Sequence, residues 1–537
     1  MTLSLIPDYE LAKHTWLGVG GRADFFAIVE TLEDLKDFLK SKGYYFLSET
    51  DTEVIPNLIH YYYKDSEICG EFKFLKAVTE ACKMLKGSYA IGVLCNDFKD
   101  NIVVVRKDSP LVVGKGVEEN FISSDIPAIL SFTKEFYLLN DKEFAILSRN
   151  DINFYNENLE PIEKDLKNID WNSSAAEKDG FDDFMLKEIF EQPKSIRETI
   201  GSRLQENLPV SFTDLNISKD YLKSINKIFI IACGTAMHAG LAGKYLIENL
   251  CNISTEVDAA SEFRYRNPII DEKTLCIFIS QSGETADTIA ALKLAKSKGA
   301  KTIAFSNVIG SSITREADYV LYTHAGPEIA VASTKAYTAQ IVLLALLSIY
   351  FAETLEIEDI KIQNLKEDIL KLTSQLEEIL KDTTKIQEFA KKIHKEKDVF
   401  FIGRGIDYTV SLEASLKLKE ISYIHSEAYS SGELKHGPIA LIENGITVVS
   451  VLTNPMLVEK SISNIQEVIT RGAKTFVVTN QEIVENFDVI INIPKTNPLI
   501  SPILSIVPLQ LLAYYISKEK ELDVDKPRNL AKSVTVE

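Results

Sequence analysis

Two stretches of this chain repeat the same pattern, and this repeat limits the fold more than any other feature. KIFIIACGT, which contains Gly234, resembles DVFFIGRG, which contains Gly405. KLAKSKGAKTIAFSN likewise resembles QEVITRGAKTFVVTN, with Gly299 and Gly472 at the same place in each, and the offset along the chain is nearly the same for both pairs. Apolar strands that alternate with long helices are typical of parallel α/β layers. The repeat therefore predicts two tandem α/β domains of the same build.

The N-terminal part of the chain has a different pattern. Short β-type runs separated by turn residues dominate from about residue 44 to 160, which predicts an antiparallel β layer with one helix near Phe72–Met84. The polar stretch that follows is typical of a linker. These changes in pattern predict segments with the boundaries 1–40, 41–165, 166–210 (linker), 211–365 and 366–537.

Composition and charge exclude several classes of function. The net charge of the 537 residues is −19 without a long basic cluster, so we expect neither nucleic acid nor membrane as a partner. The six cysteines have no paired spacing, which predicts no metal site and no disulfide framework. The N-terminal residues 1–16 lack the pattern of a signal peptide, and the apolar run 339–351 is too short to span a bilayer. We expect a cytoplasmic protein with a buried helix at 339–351 and without a cofactor.

The segment CIFISQSGETADTIAALKLA predicts a phosphate site. A buried strand ends at Ser280, and a helix begins near Glu284. Hydroxyl groups and free backbone amides at a helix N-terminus bind anions, and Gly283 would allow close approach to the backbone. An ordinary capping turn is the alternative, because Ser and Thr are common N-caps.

The second repeat lacks the same donors. Its equivalent strand end reads VVSVLTNPM and carries Pro455, which has no amide to donate. Hydroxyl groups confined to one copy predict a single phosphate site per chain. Thr235, Ser333 and Thr334 could add further hydroxyl donors at the carboxyl ends of the strands, where open parallel sheets bind ligands. For Thr235 alone, a simple turn residue is the alternative.

Two groups in the second repeat are candidates for proton transfer. Lys417 and Glu420 lie three residues apart and share a helix face among apolar neighbours, so the pair could be buried. A buried carboxyl group is suited to moving protons. A solvated ion pair is the alternative. His436, in the loop KHGP, has no neighbours in sequence that assign it a role.

The C-terminal segment DKPRNLAKSVTVE has an unusually apolar end. Chain ends are commonly frayed and polar, whereas this one predicts a docked tail. Lys532 within it could form a Schiff base with a ketone if its amine were desolvated. A surface lysine on a flexible tail is the alternative.

From about residue 44 to the end, the chain resembles the glucosamine-6-phosphate synthase family (glutamine:fructose-6-phosphate aminotransferase, isomerising). The segments SETDTEV, ACGT, SQSGETADT, VASTKAYT, LKLKEISYIH, GELKHGP and DKPRNLAKSVTVE carry the resemblance. It implies two tandem sugar isomerase (SIS) domains with parallel sheets, preceded by a truncated α+β domain of the amino-terminal-nucleophile, class II glutaminase type. It also implies synthesis of glucosamine 6-phosphate from fructose 6-phosphate as a precursor of amino sugars.

The resemblance also implies roles for particular residues. Lys532 would form the imine, Glu420 would move a proton between C1 and C2, and His436 from a neighbouring subunit would open the sugar ring, which implies a homodimer. The residues that would hold fructose 6-phosphate are Thr235, Ser280, Gln281, Ser282, Thr285 and Ser333, with the backbone of Val331. Ala236 departs from the family, many members of which carry Ser there.

The N-terminal part departs much further from this family. The family begins with a catalytic cysteine after methionine removal, whereas Thr2 follows Met1 here and the first cysteine is Cys69. Segments like RWATHG and HNGIIEN are absent, and Asp51 is the candidate remnant of a glutamine site. We therefore expect ammonia rather than glutamine as the nitrogen source. HTWLGVGGRADFF within residues 1–40 instead resembles the start of UDP-N-acetylenolpyruvoylglucosamine reductase.

Two other functions remain open from the sequence. A non-catalytic sugar-phosphate-binding protein would need the phosphate loop but not Lys532, Glu420 and His436 together. A flavin reductase would need most of a domain of which only a short opening segment is recognisable.

Overall fold

The computed structural model describes residues 4–10, 22–28, 32–65, 68, 70–107, 109–124, 126–130, 132–168, 178–213 and 215–534. The chain divides into two compact units, Met1–Ile169 and Asp170–Glu537.

The described residues of the first unit form antiparallel strands and three α-helices. The strands pair as a two-stranded ribbon (β1-β2), a five-stranded sheet (β10-β9-β8-β4-β3) and a four-stranded sheet (β11-β7-β5-β6). The elements are β1 Ser4–Glu10, β2 Arg22–Ile28, α1 Leu32–Ser41, α2 Val54–Asp65, α3 Glu71–Met84, β3 Tyr89–Cys95, β4 Phe98–Lys107, β5 Val112–Lys115, β6 Asn120–Ser123, β7 Glu135–Leu138, β8 Phe144–Leu147, β9 Ile152–Tyr155, β10 Pro161–Ile162 and β11 Lys167–Asn168.

Strand β4 contributes to two apolar clusters, one on each of its faces. Val103 and Val105 belong to the same cluster as Leu39 and Leu75 of the helices. Val104 points to the opposite face and belongs to a second cluster with Val113 of β5. Because successive side chains of a strand point to opposite faces, these three consecutive valines are divided between two cores.

These elements confirm the predicted antiparallel layer and its helix near Phe72–Met84. Helix α2 was not predicted, and the run YYFL at 44–47 is not a strand. The segment VIPNLIHYYYKD was missed as a helix because its tyrosines favour strands by propensity. Its Pro56 does not oppose a helix, because it lies in the first turn. The glycine turn at 18–21 lies outside the described residues.

The second unit begins with helices α4 Phe184–Phe190, α5 Gln192–Ile200 and α6 Lys219–Ser224. Pro193 falls in the first turn of α5, where a proline needs no amide partner, so it separates α4 from α5. Met185, Ile189 and Ile196 are buried in the main core of the unit. Helices α4 and α5 lie in the segment 166–210, which the sequence assigned to a linker, and they pack as part of the unit.

Two copies of one α/β arrangement follow. The first contains β12 Lys227–Ala232, α7 Thr235–Cys251, β13 Thr255–Ala259, α8 Ala260–Phe263, β14 Thr274–Ile279, α9 Ala286–Ser297, β15 Lys301–Ser306, α10 Ser312–Glu316, β16 Tyr319–Tyr322, α11 Lys335–Thr354 and α12 Ile360–Leu380. The second contains α13 Thr384–Ile393, β17 Asp398–Gly403, α14 Ile406–Ser422, β18 His425–Ser430, β19 Thr447–Leu452, α15 Val458–Ile469, β20 Lys474–Thr479, β21 Val489–Asn492 and α16 Ser501–Glu519.

Both copies form a five-stranded parallel sheet with the same strand order. The orders are β13-β12-β14-β15-β16 and β18-β17-β19-β20-β21. The central strands β14 and β19 are buried at all six positions, as continuous apolar runs in parallel sheets are expected to be. Gly234 and Gly405 both start the helix after the first strand at positive φ, 55° and 62°. The predicted repeat and the predicted parallel α/β fold are confirmed.

The two copies share one core. Its apolar side chains come from β12, α7 and α11 of the first copy and from β17, α14 and α16 of the second. Within the described residues, one helix, Lys335–Thr354, is long and apolar enough to cross a bilayer, and 89% of its most apolar window is buried inside the protein. This helix includes the run at 339–351 that was predicted to be buried, and burial on all sides explains its lack of a polar face.

Candidate active site

The loop between β14 and α9 has the features of an anion site. Gly283 donates its amide to Ser280 Oγ at 3.0 Å, and Ser280 Oγ lies 3.0 Å from Thr285 Oγ1. Thr285 is the N-cap residue of the twelve-residue helix α9, yet its side chain makes no capping hydrogen bond. Ser280 and Ser282 instead accept amides of the loop itself, from Gly283 and Glu284, so phosphate binding at this loop stays a prediction beside the alternative of an ordinary turn.

Gly283 cannot be replaced without moving the loop. Its φ is +69°, and an added Cβ would lie 2.0 Å from Ser311 Oγ. Two further bonds fix the loop to the same segment, from the Ile313 amide to the Gly283 carbonyl at 3.0 Å and from the Ser312 amide to Glu284 Oε1 at 2.8 Å. The close packing explains the glycine in SQSGET.

The equivalent loop of the second copy is closed by its own side chains. When the equivalent six-residue strands β14 and β19 are aligned, Thr453 corresponds to Ser280, Pro455 to Ser282 and Val458 to Thr285. The Asp407 carboxylate accepts from the Thr453 amide at 2.9 Å, from the Asn454 amide at 3.4 Å and from the Thr453 hydroxyl. The backbone amides at this strand end are thus bonded to a carboxyl group of the chain itself.

The first copy differs at the matching helix positions. When the equivalent strands β12 and β17 are aligned, Thr235 corresponds to Ile406, and Ala236 corresponds to Asp407. The first copy therefore has a hydroxyl where the second has an apolar side chain, and a methyl group where the second has a carboxylate. The asymmetry that the sequence showed at Pro455 extends to these helix starts.

A buried charged row joins the two copies at Thr235. Glu413 Oε1 accepts from Thr235 Oγ1 at 3.0 Å, and Glu413 Oε2 lies 2.8 Å from His238 Nδ1. Lys417 Nζ donates to Thr235 Oγ1 at 3.0 Å and lies 3.5 Å from Glu413 Oε1 and 2.5 Å from Glu420 Oε2. Thr235 is thus bonded to both ends of an ion pair and is not a simple turn residue.

The pair of Lys417 and Glu420 is not a solvated surface pair. The side chain of Lys417 is 1% exposed and that of Glu420 20% exposed. Burial opposes the charge of Lys417, but the carboxylates of Glu420 and Glu413 outweigh it and raise the pKa of the Lys417 ammonium. The ammonium group of Lys417 therefore stays charged and lies 2.5 Å from the carboxyl group that is the candidate for proton transfer.

The C-terminal tail is docked, and Lys532 points inward. Lys532 Nζ donates to Glu328 Oε2 at 2.7 Å and to the Ala330 carbonyl at 2.8 Å. Two residues later, the Val534 carbonyl accepts from the Ala286 amide in the first turn of α9 at 3.1 Å. The tail therefore runs from Glu328 to the helix that follows the SQSGET loop, and the alternative of a flexible surface tail is wrong.

Glu328 is a functional candidate that the sequence did not reveal. Its buried carboxylate also accepts from Ser333 Oγ at 2.5 Å, the Thr334 amide at 2.9 Å and the Ala336 amide at 3.0 Å. Burial alone would favour the neutral acid, but the Lys532 charge, with bonds from Lys532, Ser333 and Thr334, lowers the pKa of Glu328 to about 2. The one hint of Glu328 in the sequence is that it is the single acidic residue of the segment GPEIAVAST.

Other predicted substrate residues already have partners. The Val331 amide donates to the Asp525 carbonyl at 3.0 Å, and the Gln281 carbonyl accepts from the Asn307 amide at 3.0 Å. Ser282 Oγ accepts from the Glu284 amide at 3.2 Å. Contacts of these groups with a sugar stay predictions.

His436 and Asp51 are both exposed. His436 ends the short turn Ser431–His436 in the second copy. Asp51 lies in the first unit, directly before α2, and lines a cavity of about 300 Å³ with Leu35, Met84 and Tyr89. Their roles in ring opening and in glutamine binding stay predictions. In the described part of the chain, no group of three or more His, Cys, Asp or Glu side chains could hold a metal ion.

Comparisons with known proteins agree on one family. The family model "SIS domain" matches residues 221–350 and 392–517. Glutamine–fructose-6-phosphate aminotransferase (isomerizing) of Clostridium perfringens is 55% identical over 516 residues, which cover 95% of this chain and 83% of that protein. The protein of the same name in Methanosarcina acetivorans is 45% identical over 517 residues, with coverages of 95% and 84%.

A solved structure gives the same result. The C-terminal domain of glucosamine-fructose-6-phosphate aminotransferase from Francisella tularensis is 38% identical, with a TM-score of 0.62, and covers 65% of this chain and 99% of its own. Glucosamine-6-phosphate deaminase from Thermotoga maritima is 24% identical with a TM-score of 0.52, a likeness of fold alone.

The comparisons do not support the reductase resemblance of residues 1–40. A match to 95% of the chain is longer than residues 44–537 and therefore extends into that segment. Residues 11–21, which carry most of the reductase-like motif, lie outside the described residues. The boundaries of the other predicted segments stay predictions.

The first prediction concerns the SQSGET loop. Replacing Ser282 and Thr285 with Ala removes two hydroxyl donors to a phosphate, each worth about 1.5–3 kcal/mol. The affinity for fructose 6-phosphate should fall at least about tenfold, because ~1.4 kcal/mol corresponds to one decade. Calorimetric titration of the purified variants measures this loss.

The control for this prediction is Thr453→Ala in the second copy. Thr453 is buried and bonded to Asp407 and Ser501, so its loss should lower the melting temperature without weakening sugar-phosphate binding by the folded protein. Equal losses of affinity in the two copies would contradict a single phosphate site.

Proposed function

The chain belongs to the glutamine–fructose-6-phosphate aminotransferase (isomerising) family, and from this premise we propose that it converts fructose 6-phosphate into glucosamine 6-phosphate. The observation that carries the proposal is the position of Lys532. Its amine is held by Glu328 and the Ala330 carbonyl of the first copy, and the tail continues to the helix of the SQSGET loop.

The first step of the proposed reaction is binding of the phosphate group by the β14–α9 loop. The hydroxyls of Ser280, Ser282 and Thr285 lie at the N-terminus of α9, where the helix dipole favours an anion. Thr235 begins the neighbouring helix at the adjacent strand, and β12 pairs with β14 up to Ala232 and Ile279. Adjacent strand ends of this kind are the usual ligand position in open parallel sheets.

The second step is formation of an imine between Lys532 and C2 of the open-chain ketose, with release of water. A protonated imine is a stronger electrophile than a ketone. Ammonia then adds at C2 and releases the Lys532 amine, which leaves a sugar imine. Since a neutral amine is the nucleophile, the proton that Lys532 shares with Glu328 has to leave before the first bond forms.

The third step is isomerisation, for which Glu420 is the proposed base. It removes a proton from C1 and returns it to C2, so that the C1 hydroxyl carbon becomes an aldehyde and the C2 imine becomes an amine. Lys417, with its raised pKa, stays charged, and its ammonium group 2.5 Å from Glu420 Oε2 orients that carboxyl group. His436 is proposed to open the ring from the neighbouring subunit of a homodimer, for which its exposure is suitable.

A non-catalytic sugar-phosphate-binding protein explains less of the site. Phosphate recognition needs the loop donors, whereas the row formed by Glu413, Lys417 and Glu420 places three charged side chains largely out of water. Burying charges costs stability, and phosphate binding alone gives no reason for this cost. Proton transfer during catalysis would give such a reason. We also propose that the protein acts in the cytoplasm.

The second prediction concerns the nitrogen source of the 537-residue polypeptide. Its first cysteine is Cys69, whereas the family resemblance assigns glutamine hydrolysis to an amino-terminal cysteine. Ammonium should therefore support formation of glucosamine 6-phosphate, and glutamine alone should not. Product quantification with each nitrogen source measures the difference. Glutamine-dependent turnover at a rate comparable with ammonium would show that another group releases the ammonia.

The third prediction concerns Lys532. Borohydride added with fructose 6-phosphate should trap a sugar adduct, and peptide mapping should locate it at Lys532. Lys532→Arg keeps a positive charge beside Glu328 but forms no imine, so this variant should bind the sugar phosphate and yield no product. Production of glucosamine 6-phosphate at a normal rate by Lys532→Arg would disprove the imine role and leave the tail with a structural one.

A further inference from the structure

Glu188 is a buried carboxyl group to which no step of the proposed reaction has been assigned. It lies on α4, outside both repeats, and only 2% of the residue is exposed. Its Oε1 accepts from the Ile329 amide and, at 3.2 Å, from the Ala330 amide. Its other oxygen, Oε2, is buried without a hydrogen-bond partner. An incompletely satisfied buried carboxyl group calls for an explanation.

The two amides bound by Glu188 belong to the segment that holds Lys532. Lys532 Nζ contacts Glu328 Oε2 and the Ala330 carbonyl, on either side of the Ile329 amide. Glu188 therefore fixes the backbone between the two acceptors of the lysine. The three residues 328–330 connect a carboxyl group on α4 with the amine of the C-terminal tail.

The charges around Glu188 decide its protonation. The charged groups that act on it are Glu328, Lys532 and Lys335. Lys335 is itself paired with Glu191 at 2.6 Å, and Lys532 with Glu328 at 2.7 Å. Burial, together with the charge of Glu328, raises the pKa of Glu188 to about 8 against the opposing effects of Lys532 and Lys335. Near neutral pH, Glu188 therefore carries a proton.

We propose that Glu188 is a positioning residue for Lys532: by accepting from the Ile329 and Ala330 amides, its carboxyl group holds in place the backbone between the two acceptors of the lysine. The proposal rests on the proposed imine role of Lys532. One carboxylate, Glu328, is enough to orient the ammonium group. A second would hold the proton on Lys532 more tightly and so oppose formation of the neutral amine.

The inference predicts that the carboxyl group of Glu188 suits this role only over a limited pH range. Above pH about 8, Glu188 ionises, and its negative charge then attracts the ammonium group of Lys532, just as the Lys532 charge acts on Glu188. A glutamine at position 188 keeps an oxygen for the two amides but stays neutral at every pH. Glu188→Gln should therefore resemble the natural protein near neutral pH and differ from it in alkaline solution.

The test measures the reactivity of Lys532 itself, without sugar. Trace acetic anhydride labels neutral amines, and digestion with mass spectrometry reports the extent of labelling on the Lys532 peptide between pH 6 and pH 10. Glu353→Gln is the matched control, because Glu353 also accepts a backbone amide, from Val210 at 2.7 Å, and pairs with a lysine, Lys366. Glu353 lies at the opposite end of α11 from Lys335, about 27 Å along the helix.

The expected result is a difference confined to high pH. At pH 7, labelling of Lys532 should be equal in all three proteins, and at pH 9 it should be at least about threefold faster in Glu188→Gln than in the other two. The KM for fructose 6-phosphate should be unchanged in Glu188→Gln, because the phosphate donors are intact. Glu188→Ala, which leaves two amides unsatisfied, should lower kcat at least about tenfold, and Glu188→Gln should restore it at pH 7.

Two results would overturn the proposal. Superimposable labelling profiles of the natural protein and Glu188→Gln from pH 6 to pH 10 would show that the charge state of Glu188 does not reach Lys532. The same alkaline difference in Glu353→Gln would show a general effect of charge removal. These outcomes are independent of the imine, since a failure to trap sugar on Lys532 would refute the proposed function and leave the labelling profiles to decide on Glu188.

Discussion

The ion pair between Lys532 and Glu328 is the interaction on which the candidate site depends. It joins the last residues of the chain to the segment after the first parallel sheet. A buried carboxylate is costly unless its lone pairs are satisfied, and Glu328 accepts from two backbone amides, one hydroxyl and the lysine. Since its pKa is held at about 2 in the folded protein, the stabilisation is present above the ordinary range of a glutamate and is lost only as the pH falls toward 2.

The two repeats show how one fold is used for two purposes. Strand order, strand burial and the positive φ of Gly234 and Gly405 are the same in both copies, because they follow from the apolar strands and the turn that the fold requires. The groups at the strand ends are not constrained in this way. There the second copy has Asp407 bonded to its own loop, where the first has Ala236 and a set of hydroxyls. The second copy also contributes the buried charged row of Glu413, Lys417 and Glu420 from α14.

The sequence predicted the repeat, the parallel sheets and the docked tail because each has a local signal, a period or an apolar end, whereas phosphate binding by the SQSGET loop stays a prediction. It did not reveal Glu328, Glu188 or Glu413. Glu328 and Glu188 bond to groups 204 and 141 residues away, so no spacing pairs them with these partners, and Glu413, although four residues from Lys417, also bonds to Thr235 and His238 of the first copy. Helix α2 was missed because its tyrosines favour strands, and packing against α1 and α3 overrides that preference. The part proposed for His436 depends on a second subunit, which a single sequence does not describe.

The number of fructose 6-phosphate molecules bound by each chain tests most directly whether one repeat alone carries the site. Equilibrium titration of the intact protein, followed by ³¹P NMR and by calorimetry, measures this number without turnover when ammonium and glutamine are left out. We expect one bound sugar phosphate per chain, with a single shifted phosphorus resonance. Two bound molecules per chain, or two shifted resonances of equal intensity, would show that the second repeat also binds phosphate and would contradict the assignment of the site to the first repeat and the docked tail.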